Sequence, residues 1–196
     1  MANMDLAISV GEARARFFEE SGFPPDGGMS QKFVAFWNLG PIPIGFPNSN
    51  PRRRALQMHD LHHVATGYPP TWTGEAEISA WELATGCGEY AFAWTITLQG
   101  LAVGLFVSPI KTWRAWVRGR NTRSLYAEQF SESLLQKSVG ELRRYLGLDR
   151  PVPRATLGDA LSFGFWSAVA LAQTAAMFAL LALPVAGLGL LVRALV

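Results

Sequence analysis

The feature that most limits the folds open to this chain is a run of 33 residues, 160–192, without a charged side chain. A helix needs about 20 apolar residues to cross a bilayer, so this run is long enough to span one. As a single straight helix it would measure roughly 50 Å, well beyond a hydrocarbon core of ~30 Å. Because Pro184, Gly187 and Gly189 favour a break, we predict a transmembrane helix at about 160–183, followed by a short interfacial or re-entrant piece.

The arginines that flank this run predict its orientation. Four of them lie on its N-terminal side and one lies beyond it, namely Arg143, Arg144, Arg150 and Arg154 against Arg193. Positive charge collects on the cytoplasmic side of a membrane. The main domain is therefore expected on the cytoplasmic side of a bacterial inner membrane, or on the matrix side of the mitochondrial inner membrane if the source is eukaryotic. The alternative is a tail that folds back onto the domain or is buried in an oligomer interface.

The composition favours contact with a membrane and argues against nucleic acid as a partner. The chain is 49% hydrophobic and only 16% charged, against about 25% charged in an ordinary soluble domain. Seventeen basic and fifteen acidic residues nearly balance, so bulk electrostatics give no attraction to nucleic acid. The single cysteine, Cys87, excludes an intrachain disulfide and suits a reducing compartment. We expect it to be a small buried residue rather than a thiol nucleophile.

The rest of the chain predicts an all-α fold in two parts, a helical domain over 1–150 and a hydrophobic membrane-anchoring tail over 151–196. A short amphipathic helix is expected at Ile8–Glu20 and a last pair of soluble helices over 124–148. Residues 21–50 are rich in Gly and Pro, which break regular structure, so an extended chain with turns is expected there.

A helix of the central region is well marked at both ends. Asn50 is a good N-cap and Pro51 is favoured at the first helical position. The predicted helix runs to about Thr66, where Gly67 suits the C-cap and Pro69 prevents continuation.

A second helix is predicted from Thr73, with Glu75 in its first turn, where a carboxylate suits the positive helix end. A kink near Gly86 would turn Glu89 to solvent. Residues 90–110 have no charge and are long enough to span a bilayer. We favour a buried core helix for this segment, because its small residues permit close packing.

A basic and aromatic segment follows. Lys111, Arg114 and Arg118 recur on one helical face, and Trp113 and Trp116 lie between them. Basic heads with indoles suit a membrane surface. An ordinary solvated face with the tryptophans packed inward is the equal alternative.

All three histidines of the chain lie within five residues. On a helix, His59, Asp60 and His63 share an arc of about 100°, so two imidazoles and a carboxylate can converge on one ion, as in the H-E-x-x-H zinc motif. The turn after the helix allows Glu75 to supply a fourth ligand. Two nitrogens and two oxygens suit Zn²⁺ and do not exclude Fe²⁺, Mn²⁺ or Co²⁺.

Other interpretations of the same residues stay open. The histidines could be exposed or could cap the helix end, and Asp60 could be the general base of a zinc hydrolase. His62 lies at the edge of the arc and could support a ligand, contact a substrate or face solvent. Glu75, Glu82 and Glu89 are spaced by seven, so they would line a polar cleft or form a solvated stripe on an unbroken helix.

These residues resemble the ubiquinone (coenzyme Q) biosynthesis protein Coq-four family. Its motif is H-D-x-x-H, eleven residues and E, which His59, Asp60, His63 and Glu75 match. The segments HVATGYP and GELRRYLGL are also similar to the family. The resemblance covers Phe33–Leu148.

The resemblance implies an all-helical fold, membrane association and a divalent metal, usually zinc, on His59, Asp60, His63 and Glu75. It further implies removal of the C1 carboxyl group from a polyprenylated 4-hydroxybenzoate-type precursor, with hydroxylation of that carbon in the oxidative version. Family members also act as scaffolds that bind prenyl lipid and organise other quinone-biosynthesis enzymes.

The chain departs from the family at His62, at Arg52–Arg54 and in the hydrophobic extension after Leu148.

The predicted metal site and the resemblance lead to two hypotheses of function. One is a metal-dependent carbon–carbon lyase in which Tyr90–Ile110 forms a wall of an apolar slot for the prenyl tail. The other is a non-catalytic prenyl-lipid-binding scaffold whose metal holds two helices together.

Overall fold

The computed structural model describes the chain over residues 5–39 and 41–195. Within these residues it forms eight α-helices, one 3-10 turn and one two-stranded hairpin, which confirms the all-α prediction. The helices are α1 (Val10–Glu20), α2 (Asn50–Thr66), α3 (Trp72–Thr85), α4 (Ala91–Val107), α5 (Pro109–Arg120), α6 (Glu132–Gln136), α7 (Val139–Leu146) and α8 (Leu157–Leu195), and the 3-10 turn covers Leu125–Ala127.

The hairpin is a feature that the sequence did not predict. Strands β1 (Phe33–Leu39) and β2 (Ile42–Pro47) pair antiparallel where we expected an extended chain with turns. In a two-stranded sheet both strands are edge strands, where proline is tolerated because one side of the strand needs no ladder hydrogen bond. Pro43 and Pro47 therefore did not prevent pairing.

The ends of α2 and the start of α3 follow the predicted signals closely. Ser49, rather than Asn50, is the N-cap of α2, so the helix begins one residue earlier than expected. Gly67 ends it in the left-handed region at φ 80°, a conformation that glycine adopts without a steric penalty. The Thr71 side chain accepts a hydrogen bond from the Gly74 amide at 3.2 Å and caps α3.

The predicted kink after α3 is present as a complete break. Gly86, at φ 88°, ends α3, and α4 begins at Ala91. Glu89 lies in the connection, and its exposed carboxylate pairs with Arg54 at 2.8 Å. The expectation that this break frees Glu89 to solvent is confirmed.

Helices α3, α4 and α5 pack in very close contact, because glycines lie at their crossing points. A β-carbon at Gly100 would lie 2.0 Å from Ser79 Oγ, and one at Gly119 would lie 2.5 Å from the Trp81 carbonyl oxygen. Leu98 and Leu101 of α4 are buried in the hydrophobic core. One face of α4 therefore belongs to the core, as we favoured.

Helix α5 turns its tryptophans inward. Trp116 is fully buried, and Trp113 packs edge-on against Phe163 of α8 at a centroid distance of 5.2 Å. Lys111 and Arg114 are exposed. Of the two interpretations of this segment, the structure shows the one with inward-packed indoles.

The first part of α8 packs along α4. The rings of Trp94 and Trp166 stack at 5.5 Å, and Thr174 donates a hydrogen bond to Gln99 at 3.2 Å. Every side chain over residues 175–180 is exposed. The helix therefore leaves the domain surface after Thr174.

Helix α8 is continuous from Leu157 to Leu195, so the predicted break at Pro184 is wrong. Proline removes one helical hydrogen bond and bends a helix, but the bend does not have to end it. The segment Leu157–Leu180 is long and apolar enough to cross a membrane, and Asp159 and Ala170 are its only buried residues.

Cys87 has the structural role that we expected. The residue is buried, and burial raises the pKa of its thiol far above the ordinary value. Its sulfur lies 3.6 Å from Thr97 Oγ1. A thiol in this environment is a poor nucleophile.

Candidate metal centre

Three of the four predicted ligands meet where α2 and α3 face one another. His59 and His63 lie in the last two turns of α2, and Glu75 lies in the first turn of α3. One ligand atom from each lies within 4.8 Å of the others. The turn through Gly67 reverses the chain between the two helices, as the sequence suggested. The ring of His63 also stacks on Phe17 of α1 at 5.1 Å.

Hydrogen bonds fix which nitrogen of each histidine faces the centre. His63 Nδ1 lies 2.8 Å from the carbonyl oxygen of Tyr68, which can only accept, so Nδ1 carries the proton. His59 Nδ1 lies 3.0 Å from Glu82 Oε1 and donates to it in the same way. The two Nε2 atoms face one another at 3.1 Å. Two unprotonated nitrogens at this distance repel unless a proton or a cation lies between them.

Glu75 adds negative charge to this pair of nitrogens. Its carboxylate oxygens lie 3.3 Å from His63 Nε2 and 3.5 Å from His59 Nε2. Burial opposes its ionisation, but a proton held by the facing Nε2 atoms donates to this carboxylate and gives the imidazole pair positive charge. Together these effects outweigh burial and lower the pKa of Glu75 to about 2. Burial also opposes the charging of His59, yet Glu82 and Glu75 raise the pKa of that imidazole well above its usual value. The group formed by His59, His63 and Glu75 therefore attracts positive charge.

Asp60, the fourth predicted ligand, lies outside this group of three. Its side chain is buried, and burial raises its pKa to about 6 although His59 lowers it. Its Oδ2 atom has no hydrogen-bond partner. A buried carboxylate oxygen without a partner is costly unless a cation or a proton satisfies it.

Glu82 and His62 are functional candidates whose roles the sequence left unassigned. Both side chains are fully buried, and His62 Nδ1 lies 2.6 Å from Glu82 Oε1, the same oxygen that holds His59. The Leu125 amide donates to His62 Nε2 at 2.8 Å, so Nδ1 is the protonated nitrogen and His62 is neutral. Burial lowers the pKa of His62, which agrees with this assignment.

The predicted stripe of three glutamates therefore divides into three environments. Glu75 lies at the histidine pair, Glu82 is buried behind it, and Glu89 is exposed beyond the break. The spacing of seven between Glu75 and Glu82 was a usable signal, since it places both on one helical face. The roles of Glu75 and Glu82 differ because Glu82 is fully buried, which the spacing does not show.

A cavity of about 120 Å³ opens beside His59 and Glu75. Arg52 and Tyr126 contribute polar groups to it, and its other lining residues are Phe46, Ala55, Leu56, Ser79, Phe92, Ala93 and Ile96. A larger cavity of about 570 Å³ lies between α5 and the segment before α8, and none of the predicted ligands lines it. We regard the smaller cavity as the relevant one, because the ligand cluster forms its wall.

Comparison with known proteins gives one consistent group of relatives. Proteins from Aspergillus fumigatus and Neosartorya fischeri, each named "Ubiquinone biosynthesis protein coq4, mitochondrial", are 27% identical to this chain over 151 residues, which is 73% of the chain and 47% of the relative. A protein of the same name from Botryotinia fuckeliana is 25% identical over 150 residues, 74% of the chain and 49% of the relative. The chain thus spans about half the length of the curated relatives it matches.

No family model matches the sequence, and no solved structure matches the fold.

Proposed function

The chain is related to the Coq-four family of ubiquinone biosynthesis proteins, and from this relationship we propose that it acts in ubiquinone biosynthesis at a membrane. The reaction that we propose is metal-dependent removal of the C1 carboxyl group from a polyprenylated 4-hydroxybenzoate-type precursor. In the oxidative version, hydroxylation of the same carbon accompanies the decarboxylation. The protein would then be a carbon–carbon lyase.

The observation on which this proposal rests is the pair of facing Nε2 atoms on His59 and His63. A divalent cation, with Zn²⁺ preferred and Fe²⁺, Mn²⁺ or Co²⁺ as alternatives, suits a set of two imidazoles and carboxylates. Glu75 supplies one carboxylate beside the pair. Asp60 is the fourth proposed ligand, and its unpartnered buried oxygen supports this role. The donor set therefore fits the metal that the family resemblance implies.

When bound, the ion would supply Lewis-acid stabilisation of negative charge on a substrate oxygen. The chain's own groups would hold the histidines and position the ring. Glu82 and the Tyr68 carbonyl keep both Nδ1 atoms protonated and both Nε2 atoms directed at the centre. Arg52 lines the same cavity, where its positive charge favours a substrate carboxylate.

The apolar side of the cavity would hold the substrate ring and exclude water. Phe92, Ala93 and Ile96 form this side on α4, which belongs to the proposed wall of the prenyl slot. In the simple decarboxylation the para hydroxyl donates electron density into the ring and C1 takes up a proton. The C1–carboxyl bond then breaks, and its electron pair restores the aromatic ring as CO₂ leaves. The oxidative version additionally requires an oxidant such as O₂.

We place the domain at a membrane, because the mitochondrial relatives and the apolar α8 both fit membrane association. The excess of arginine before α8 favours a cytoplasmic or matrix-side domain. A prenylated substrate dissolves in the bilayer, so an anchored enzyme meets it there.

The test uses the full chain purified in mild detergent and a prenylated 4-hydroxybenzoate labelled in its carboxyl carbon. We expect a stoichiometric divalent metal and release of labelled CO₂ by the wild type. His63→Ala should lose both. Glu77→Gln is the matched control, since Glu77 lies on α3 outside the ligand cluster and should keep both.

A non-catalytic scaffold is the second candidate, and one observation favours it. The cavity beside the ligands, at about 120 Å³, is small against the roughly 300–1,000 Å³ of ordinary ligand pockets. If the protein turns over no substrate with any added divalent ion, while quinone synthesis in cells still depends on it, the lyase proposal fails. His63→Ala would then be expected to disturb prenyl-lipid binding or the assembly of partner enzymes instead.

A further inference from the structure

Four large apolar side chains are exposed at the start of α3, the end of α4 and the start of α5. They are Trp72 at 76%, Phe106 at 79%, Val107 at 51% and Ile110 at 67% of their full accessible area. We call the surface formed by these four residues the apolar end. Clustered exposed apolar side chains of this size mark interaction sites in soluble domains.

Close helix contacts place all four residues at the same end of the α3–α4–α5 layer. A β-carbon at Gly104 would lie 2.9 Å from Ala76 Cβ and 2.6 Å from Thr112 Oγ1. The last turn of α4 therefore lies beside the first turns of α3 and α5. Trp72 is one turn before Ala76, and Ile110 is two residues before Thr112, so both are level with the end of α4.

Helix α8 runs toward this same end. Trp166 packs on Trp94 near the start of α4, and Thr174 bonds to Gln99 farther along it. The two helices therefore run in the same direction. Since residues 175–180 are exposed on all sides, α8 separates from the domain as it approaches the apolar end and continues beyond it.

We propose that the bilayer meets the protein at the apolar end. Trp72, Phe106, Val107 and Ile110 insert into the interface, and α8 enters the membrane beside them. Lys111 is exposed immediately after Ile110, where a lysine suits anionic headgroups. After α8 leaves the domain at Thr174, it continues through residues 175–192 without a charged side chain, which is close to the length that crosses a bilayer. This apolar continuation favours lipid over a protein partner as the occupant.

This placement depends on membrane association and not on the reaction or the metal. It has a consequence for the site, because Glu75 follows Trp72 by less than one helical turn. The ligand cluster would then lie just below the headgroup layer, within reach of a substrate dissolved in lipid.

The experiment places an environment-sensitive fluorophore on single introduced cysteines of the full chain. The variants are Phe106→Cys and Ile110→Cys, with Leu6→Cys and Leu161→Cys as matched exposed controls, at 50% and 67% exposure. Buried Cys87 stays in place, and labelling of the wild type measures its background. The protein is reconstituted into vesicles of phosphatidylcholine and phosphatidylglycerol at 3:1, with and without spin-labelled lipid as quencher.

We expect the emission at positions 106 and 110 to shift to the blue and to be quenched by spin-labelled lipid, while positions 6 and 161 keep their aqueous spectra. Quenching at 161 without quenching at 106 and 110 would overturn the proposal, because the bilayer would then cover the flank of α8. A blue shift at 106 and 110 that lipid does not quench and that grows with protein concentration would also overturn it, since a second copy would cover the surface. Aqueous spectra at all four positions would do the same.

Discussion

His62 Nδ1 and Glu82 Oε1 lie 2.6 Å apart, and neither side chain is exposed to solvent. The same oxygen holds His59 Nδ1 at 3.0 Å. A carboxylate that accepts from Nδ1 fixes the tautomer and orientation of an imidazole and increases its basicity as a metal ligand. Glu82 therefore acts on the centre through His59, and His62 in turn holds Glu82.

Replacing Glu82 by glutamine tests this positioning role. Glutamine keeps the shape and one acceptor oxygen but removes the negative charge. We expect divalent-metal affinity to fall by about 10- to 100-fold, measured by competition with a chromophoric chelator.

Glu77→Gln is the control for the charge of α3, because it removes a carboxylate that does not contact the histidines. Unchanged affinity in Glu82→Gln, with the fold intact by circular dichroism, would contradict the role of Glu82. Equal losses in both variants would point to a general charge effect instead.

His63→Ala and Glu75→Gln each remove one group from the cluster of three. Since loss of an outer-shell partner alone costs 10- to 100-fold in metal affinity, we expect the loss of a ligand to cost about 100-fold or more. Cobalt substitution gives a second readout, because the visible spectrum of Co²⁺ reports its ligands. Full affinity and an unchanged cobalt spectrum in either variant would exclude that residue as a ligand.

Asp60→Asn separates two roles for the buried aspartate. If Asp60 completes the ligand set, we expect weaker metal binding, because the amide oxygen is a poorer ligand than a carboxylate. A variant that keeps its metal but loses hydrolytic activity on an ester or amide substrate would favour the zinc-hydrolase interpretation. Metal analysis of the dialysed protein decides between these outcomes.

Gly119→Ala tests the close packing of α3 and α5. The new β-carbon would lie 2.5 Å from the Trp81 carbonyl oxygen, and backbone cannot move aside as a flexible side chain can. We expect the free energy of unfolding to fall by about 1–3 kcal/mol. Thermal unfolding in detergent, followed by near-ultraviolet circular dichroism, measures the change.

Gly164→Ala in α8 is the matched control, because no atom outside its own helix backbone and chain neighbours lies within 4 Å of its β-carbon position. Alanine is a better helix former than glycine by about 1 kcal/mol, so this variant should be as stable as the wild type or more stable. Equal stability of the Gly119 and Gly164 variants would show that the contact with Trp81 relaxes without cost.

The sequence predicted those parts of the fold that local chemistry determines. Gly67 ended its helix as expected, whereas Gly86 ended α3 completely where the sequence predicted only a kink in a longer helix. Glycine adopts positive φ without strain at both positions. The charge-free run predicted α8, but not its continuation through Pro184. The β1–β2 hairpin was missed, because two edge strands with prolines lack the alternation by which a strand is recognised.

For the candidate centre, helical spacing predicted that His59 and His63 lie on one face, and the turn after α2 predicted that Glu75 joins them. The structure brings these three residues together. The buried hydrogen bonds that orient these residues were not predictable from the sequence. Glu82 is distinguished from Glu89 only by burial, and the bond from Leu125 to His62 joins residues 63 positions apart. No periodic pattern encodes such a long-range contact.

The two histidines of the pair differ in how vulnerable their orientation is to mutation. His59 is held by a side chain, so a single codon change at residue 82 can release it. His63 is held by the backbone carbonyl of Tyr68, which every amino acid possesses. The orientation of the His63 ring depends on the path of the backbone around Gly67. A substitution at residue 68 therefore keeps the hydrogen bond, whereas a change in the backbone path of this loop would move the carbonyl and reorient the ring.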